Sequence, residues 1–117
     1  MSNPSPSDVL RAMVAMFASG DPSGASGVVA ESYLDHQGIG HGPVRGVDGF
    51  ADVVRTNHAA YEYLEVGIED LFGGRDRAAA RISWRGRRHD GMEVNRQTID
   101  IIRSTEGRAV EHWGARV

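Results

Sequence analysis

Asp100 and His112 are the residues in this sequence best suited to moving a proton between them. Both lie in stretches that alternate like strands, IDIIRS and RAVEHWGARV, joined by a short TEG turn. A carboxylate beside an imidazole fixes its tautomer and raises its basicity, which suits general acid–base work. Whether the two meet depends on the turn. If Ser104–Gly107 forms the loop, Asp100 lies opposite Glu111, and like charges oppose each other. If Thr105–Gly107 forms it, Gly107 takes the left-handed position such loops favour, and Asp100 lies opposite His112. The second register is expected. Arg81 then sits opposite Asp100 on the strand before, with Thr98 and Ser83 one step along. An Arg–Asp–His network on a solvated or interfacial sheet face is the plainer alternative, since cross-strand charge pairs are common.

Other side chains could join such a site. His58 shares an apolar helical stripe with Val54 at i−4 and Tyr61 at i+3, so it is either a core or pocket-wall residue or a substrate contact. Asp35 and His36 follow a tyrosine–leucine pair, and Asp35 could simply bond its own loop backbone. His41 lies between two glycines, as a loop residue would. Asp35, His36 and His41 raise the idea of a metal site, but no further well-placed ligand follows and none is expected. Arg77, Arg81, Arg85 and Arg87 form a basic stripe that could hold an anion, with Glu65 and Glu69 placed to neutralise it. The expected catalytic pair is therefore His112 and Asp100, with Arg81, His58, His36, Tyr61, Trp84 and Thr98 as substrate contacts.

These residues need a scaffold, and the chain is long enough to supply one. Its 117 residues suit one domain spanning 1–117, with 1–6 a loose tail. Hydrophobic content is 40% and charged content 25%, the balance of a globular core with a wetted surface. A net charge of −3 argues against nucleic acid or a membrane surface as partner. With no cysteine, disulfide and thiolate chemistry are excluded. The N-terminus lacks the positive region of a signal peptide, no apolar run reaches membrane length, and a cytoplasmic location is expected. All 13 basic residues are arginine, which suggests a GC-rich bacterial genome.

Periodicity predicts helices first and strands after. Ser7 can cap a helix to about Ser19, with Val9, Leu10, Met13, Val14, Met16 and Phe17 on one stripe and Gly20 ending it. Asp21 and Pro22 can start a second helix, weakened by Gly24 and Gly27. A third starts near Val47 or Asp48. Strand alternation then runs from Tyr63 to the end, with turns at Gly73–Arg75, Asp90–Gly91 and Thr105–Gly107. A three-residue first turn pairs Leu64 with Trp84, Val66 with Ile82 and Ile68 with Ala80. A tight Asp90–Gly91 turn pairs Ile82 with Ile99 and Ala80 with Ile101. Trp84 and Trp113 fall on the apolar face in this register. The expected fold is α+β, with N-terminal helices on a mainly antiparallel sheet of four strands or more.

The ordered stretches YLDHQG, GVDGFADVVRTNHAAYEYLEVGIEDLF, RDRAAARISWRGRRHDG and IDIIRSTEGRAVEHW resemble the SnoaL-like polyketide cyclase and ester cyclase group of the NTF2-like superfamily. They cover most of residues 33–113. The resemblance implies a cone-shaped α+β fold, with a pocket between a curved sheet and the helices. It implies aldol-type ring closure without metal or organic cofactor, a small-molecule substrate of secondary metabolism, and a homodimer. Isomerisation, epoxide opening and plain ligand binding occur on the same scaffold. The chain departs from the pattern in two places. Asp100 stands where such cyclases carry a histidine, and no carboxylate follows Trp113.

The expected function is cofactor-independent acid–base chemistry on a polyketide-like carbonyl compound, cyclisation or isomerisation, with His112 oriented by Asp100. A non-catalytic ligand-binding or accessory protein is the first alternative. An epoxide-opening or hydrating enzyme ranks last, because Asp70 and Asp100, the carboxylates considered for it, fall on opposite faces in this register. Pattern makes the apolar face the core, whereas resemblance makes the His112 face the pocket wall. Both hold if the second face meets another subunit, or if a β-bulge swaps faces within a strand.

Overall fold

The computed structural model describes residues 2–36 and 42–117. Helix α1 spans Pro6–Ser19. Its cap is Ser5 rather than Ser7: the Ser5 hydroxyl accepts from the Asp8 amide at 3.1 Å, and Pro6 opens the helix with its fixed φ. Pro6 is buried, so ordered chain begins inside the expected tail. Gly20 ends the helix at φ 75°, donating its amide to Met16 O at 2.8 Å.

The expected second helix does not form. Asp21 holds the Ser23 amide at 2.9 Å, and one 3-10 turn, Ala25–Gly27, follows. Gly24 and Gly27 give the helix no support, and the chain goes straight into strand β1, Val29–Asp35. Tertiary pairing overrides the Asp–Pro start signal here. Strand β2 is Val44–Arg45, and helix α2 is Gly46–Ala59, as the periodicity predicts to within two residues.

Strands β3 (Tyr61–Gly73), β4 (Arg77–Arg88), β5 (Glu93–Thr105) and β6 (Arg108–Arg116) form the antiparallel meander. The sheet has six strands in the order β2-β1-β6-β5-β4-β3. β1 runs parallel to β6, which places an N-terminal strand beside the C-terminal one. The whole is the α+β cone of the NTF2-like kind.

Register decides which side chains face inward. Between β3 and β4 the pairs are Val66 with Trp84 and Ile68 with Ile82, two residues from the expected register, so the faces are unchanged. A bulge between Ile68 and Asp70 then sets Asp70 opposite Arg81. Between β4 and β5 the shift is one residue, and it inverts β5. The turn holds three residues, His89–Gly91, not two. The Arg88 amide reaches Met92 O at 2.9 Å and Gly91 takes φ 90°, the left-handed place in such a loop. Ala80 therefore pairs with Asp100 and Arg81 with Ile99. Asp100 joins the apolar inner face, and Ile99 and Ile101 point outward, 39% and 38% exposed.

Two displacements act between β5 and β6. The turn is the two-residue Glu106–Gly107, with φ 53° and 79°, as a type I′ turn requires. A bulge then skips Val110, since Ser104 pairs with Ala109 but Arg103 with Glu111. Together they amount to two residues, so His112 stays on the Asp100 face. It sits opposite Ile102, with Asp100 opposite Gly114. Trp113, expected on the apolar face, is turned outward opposite Ile101.

The core lies between this inner face and the helices. Val9, Leu10, Met13 and Val14 of α1 and Phe50 and Val54 of α2 pack on Val29, Tyr33, Ile82 and Ile102. Ala78, Ala80 and Ala109 are small, which lets the helical layer approach the strands. Phe50 joins the layers by edge-on contacts to Phe17 and Tyr33, at 5.7 and 5.8 Å between ring centroids.

Candidate functional site

A cavity of about 360 Å³ opens between the helices and the inner face. Leu10, Met13, Val14 and Phe17 of α1 and Val53 of α2 form its apolar wall. A row of polar side chains crosses its sheet wall, and the register just described puts them there.

His112 is the centre of that row. Its Nε2 meets Asp100 Oδ1 at 2.7 Å, and its Nδ1 meets Asp35 Oδ1 at 2.9 Å. Asp35 comes from β1, which pairs with β6 at Asp35 and His112 themselves. The three side chains are 12–14% exposed, so little water competes for these bonds. Burial pulls the imidazole toward its neutral form. Hydrogen bonds donated to Asp100 and Asp35, and the charges of those carboxylates, outweigh it and raise His112 from 6.5 to about 9. At neutral pH it is an imidazolium that donates through both nitrogens.

The row continues in a fixed direction. The Trp84 indole Nε1–H can only donate, and it donates to Thr98 Oγ1 at 2.9 Å. The Thr98 hydroxyl hydrogen goes to Asp100 Oδ2 at 2.6 Å. Asp100 thus meets a partner at both oxygens, which fixes the orientation of its carboxyl. Tyr33, 2% exposed, lines the same cavity, and burial together with the charges of Asp35 and Asp100 pushes its phenol well up. It stays a neutral hydroxyl.

Of the expected site residues, His112, Asp100, Thr98, Trp84 and Tyr61 all line this cavity. Three others do not. Arg81 lies on the opposite face of the sheet, where its Nε meets Asp70 at 2.8 Å, because the one-residue shift in β5 carried Asp100 away from it. His58 lays its ring over Gly20 at the end of α1, where a Cβ would collide with it, so it seals a helix contact. His36 stacks on Trp113, 5.1 Å between centroids, and meets Glu111 Oε2 at 2.7 Å. Alternation along β1 sends Asp35 inward and His36 out. Glu111 also accepts from Arg103 at 2.8 Å, and these two bonds hold its carboxyl below its usual value. His41 lies outside the described residues.

Six polar cavity residues stand outside the expected site: Tyr33, Asp35, Asn57, Arg88, Arg96 and Arg116. Asp35 was weighed as a candidate against a loop residue bonding its own backbone, and the alternation of Tyr33 and Asp35 was the signal that favoured the site. Arg96 shares the two-residue period of Thr98 and Asp100, which was the available signal. Arg88, Arg116 and Asn57 complete the set. Two buried donors among the described residues have no hydrogen-bond partner, Arg96 Nε and Asn57 Nδ2, and both belong to residues lining this cavity.

The family described as SnoaL-like polyketide cyclase matches residues 7–116. Solved structures share the fold. A SnoaL-like polyketide cyclase from Agrobacterium tumefaciens is similar at TM-score 0.82 and 15% identity, over 97% of this chain and 92% of that one. TsrD from Streptomyces laurentii gives 0.80 and 23%, over 92% and 84%. An LEH-like epoxide hydrolase of M. tuberculosis gives 0.77 and 12%, over 96% and 82%. Among curated proteins, none matches the sequence.

Proposed function

The chain belongs to the SnoaL-like polyketide cyclase family, and from that premise we propose that it performs cofactor-independent acid–base chemistry on a polyketide-like carbonyl compound, by aldol-type cyclisation or isomerisation. One observation carries this reading: Asp100, His112 and Asp35 form a continuous hydrogen-bonded row on the sheet wall of a cavity whose helical wall is apolar. The expected roles change with it. His112 already holds a proton on each nitrogen, so it does not begin as the base. Asp100 takes the proton α to the carbonyl, and the electron pair moves onto the carbonyl oxygen as an enolate. The Asp100 carboxyl then returns that proton, to carbon in an isomerisation or to the new alkoxide oxygen in a cyclisation, while His112, held by Asp35, keeps Asp100 in place.

The test is deuterium exchange at the α-carbon of 2-tetralone in D₂O, followed by NMR. The protein should accelerate it, and Asp100→Asn should lower the acceleration by roughly 100-fold or more, the usual scale for a general base. Arg81→Ala, on the opposite face, serves as the control and should leave it unchanged. No acceleration by the wild type, or an undiminished rate in Asp100→Asn, refutes the mechanism and favours a ligand-binding role.

A second reading has its own support. Asp35 and Asp100 flank one cation in one cavity, which suits activation of a water by one carboxylate and opening of an epoxide. Hydrolysis of styrene oxide, abolished in both Asp35→Asn and Asp100→Asn, would favour it over enolisation; no hydrolysis by the wild type would end it. Either reading includes a small-molecule substrate, a bacterial source and a cytoplasmic location in secondary metabolism. Among the described residues, no helix is long and apolar enough to cross a membrane. A homodimer is also part of the reading, supported by Ile99 and Ile101 exposed on the outer face. A monomeric mass in sedimentation at micromolar concentration would remove that part.

A further inference from the structure

The unpartnered groups on the cavity wall are both donors. Arg96 Nε and Asn57 Nδ2 are buried without a hydrogen bond among the described residues, so this part of the wall holds donors in excess of acceptors. Charge points the same way. Three arginines, Arg88, Arg96 and Arg116, line the cavity with the His112 imidazolium, against the carboxylates of Asp35 and Asp100. Arg88 is partly committed, its guanidinium 5.6 Å from the centre of the Tyr61 ring and its Nε 3.8 Å from Asp90. Arg116 is exposed at the C-terminal end of β6. Arg96 has no carboxylate within ion-pair distance among the described residues, yet its Nε is shut away from water. Its Nη groups are not shut away in this manner and make no hydrogen bond among the described residues, so the end-on face of the guanidinium is the one that can meet a carboxylate with two parallel bonds.

We propose that the substrate of this cavity carries a carboxylate as well as its carbonyl, and that Arg96 grips the carboxylate. The strand sets the distance between the two ends. Arg96 and Asp100 lie four residues apart on one face of β5, which places their Cα atoms about 13 Å apart. Thr98 lies between them. A ligand held at both ends is therefore elongated, a bicyclic aromatic keto acid in scale, with its acidic C–H beside Asp100. The Asp100 end of this ligand rests on the acid–base reading above, whereas the Arg96 end requires only binding.

The test compares 6-acetyl-2-naphthoate with its methyl ester by titration calorimetry at neutral pH. The two differ in the charge offered to Arg96. The acid should bind roughly tenfold more tightly or better, the scale of a charge-assisted hydrogen bond. Arg96→Met should bring the ratio close to one by weakening the acid alone, and Arg96→Gln provides a second variant should the first not fold. Equal affinity of acid and ester for the wild type overturns the proposal, as does a preference that survives both substitutions, or no binding of either compound at millimolar concentration. Binding is read without turnover. No acid preference in the wild type with its 2-tetralone exchange intact sinks this proposal alone, and a wild-type acid preference with no such exchange sinks the acid–base reading alone.

Discussion

Raising the pH from 6 to 10 should remove a defined part of the stability of this fold, and His112 sets its size. The imidazole titrates at 6.5 in an unfolded chain and at about 9 between Asp35 and Asp100. Its folded value is raised, so its contribution is fully present below 6.5 and is lost as the pH climbs through 9. At about 1.36 kcal/mol per unit, the shift corresponds to about 3 kcal/mol. That is a large share of the roughly 5–15 kcal/mol that holds a typical domain together. The physical origin is simple: once the second proton leaves, a nitrogen lone pair faces a carboxylate oxygen less than 3 Å away. The assay is urea unfolding followed by circular dichroism for the wild type and His112→Gln at each pH. The other four histidines are common to both proteins, so their contributions cancel in the difference. The stability advantage of the wild type should shrink by about 3 kcal/mol between pH 6 and 10. The ring proton of His112 should titrate by NMR with a midpoint near 9, a value that belongs to the three-group cluster. A difference that stays flat, or a midpoint at or below 6.5, refutes the account of a cation clamped by two anions.

Two further predictions probe the frame around the site. Ile102 is fully buried and Ile101 is 38% exposed, so Ile102→Ala should cost about 2–5 kcal/mol in chemical unfolding and Ile101→Ala under about 1 kcal/mol. The opposite order would restore the register first expected for β5. Gly20→Ala should cost about 1–2 kcal/mol or more, because the position is left-handed and the new methyl meets the His58 ring. An unchanged melting temperature would mean that the ring moves aside freely.

The elements were largely legible in the sequence, and the faces were not. Periodicity located α1, α2 and all four strands of the meander, because each carries its own pattern. β1 was missed because Asp21 and Pro22 imitate a helix start, and what makes Val29–Asp35 a strand is its partner β6, far along the chain. The larger error came from one residue. Asp90–Gly91 reads as a two-residue turn, yet the loop takes His89 as well, and that single step turned Asp100 from the Arg81 face to the cavity. Trp84 and Thr98 reached the wall beside it. Asp100 and His112 were brought together for a partly accidental reason, since the shorter turn and the bulge at Val110 add up to an even number. Nothing local to TEGRAV announces that bulge. Asp35 was a candidate, but its place beside His112 was hidden for the same cause as β1.

The parallel seam between β1 and β6 also has a consequence in time. The meander closes through short turns, so its pairings are local and can form early. β1 waits for the opposite end of the chain, and its other neighbour, β2, pairs with it through two residues among those described. Long-range parallel pairing of this kind is slow, because loop closure must come before any contact rewards it. The bond between Asp35 and His112, 77 residues apart, is therefore among the last to appear as the chain folds. A chain with its meander formed but this seam still open has its sheet, and the Asp100–His112 pair without Asp35.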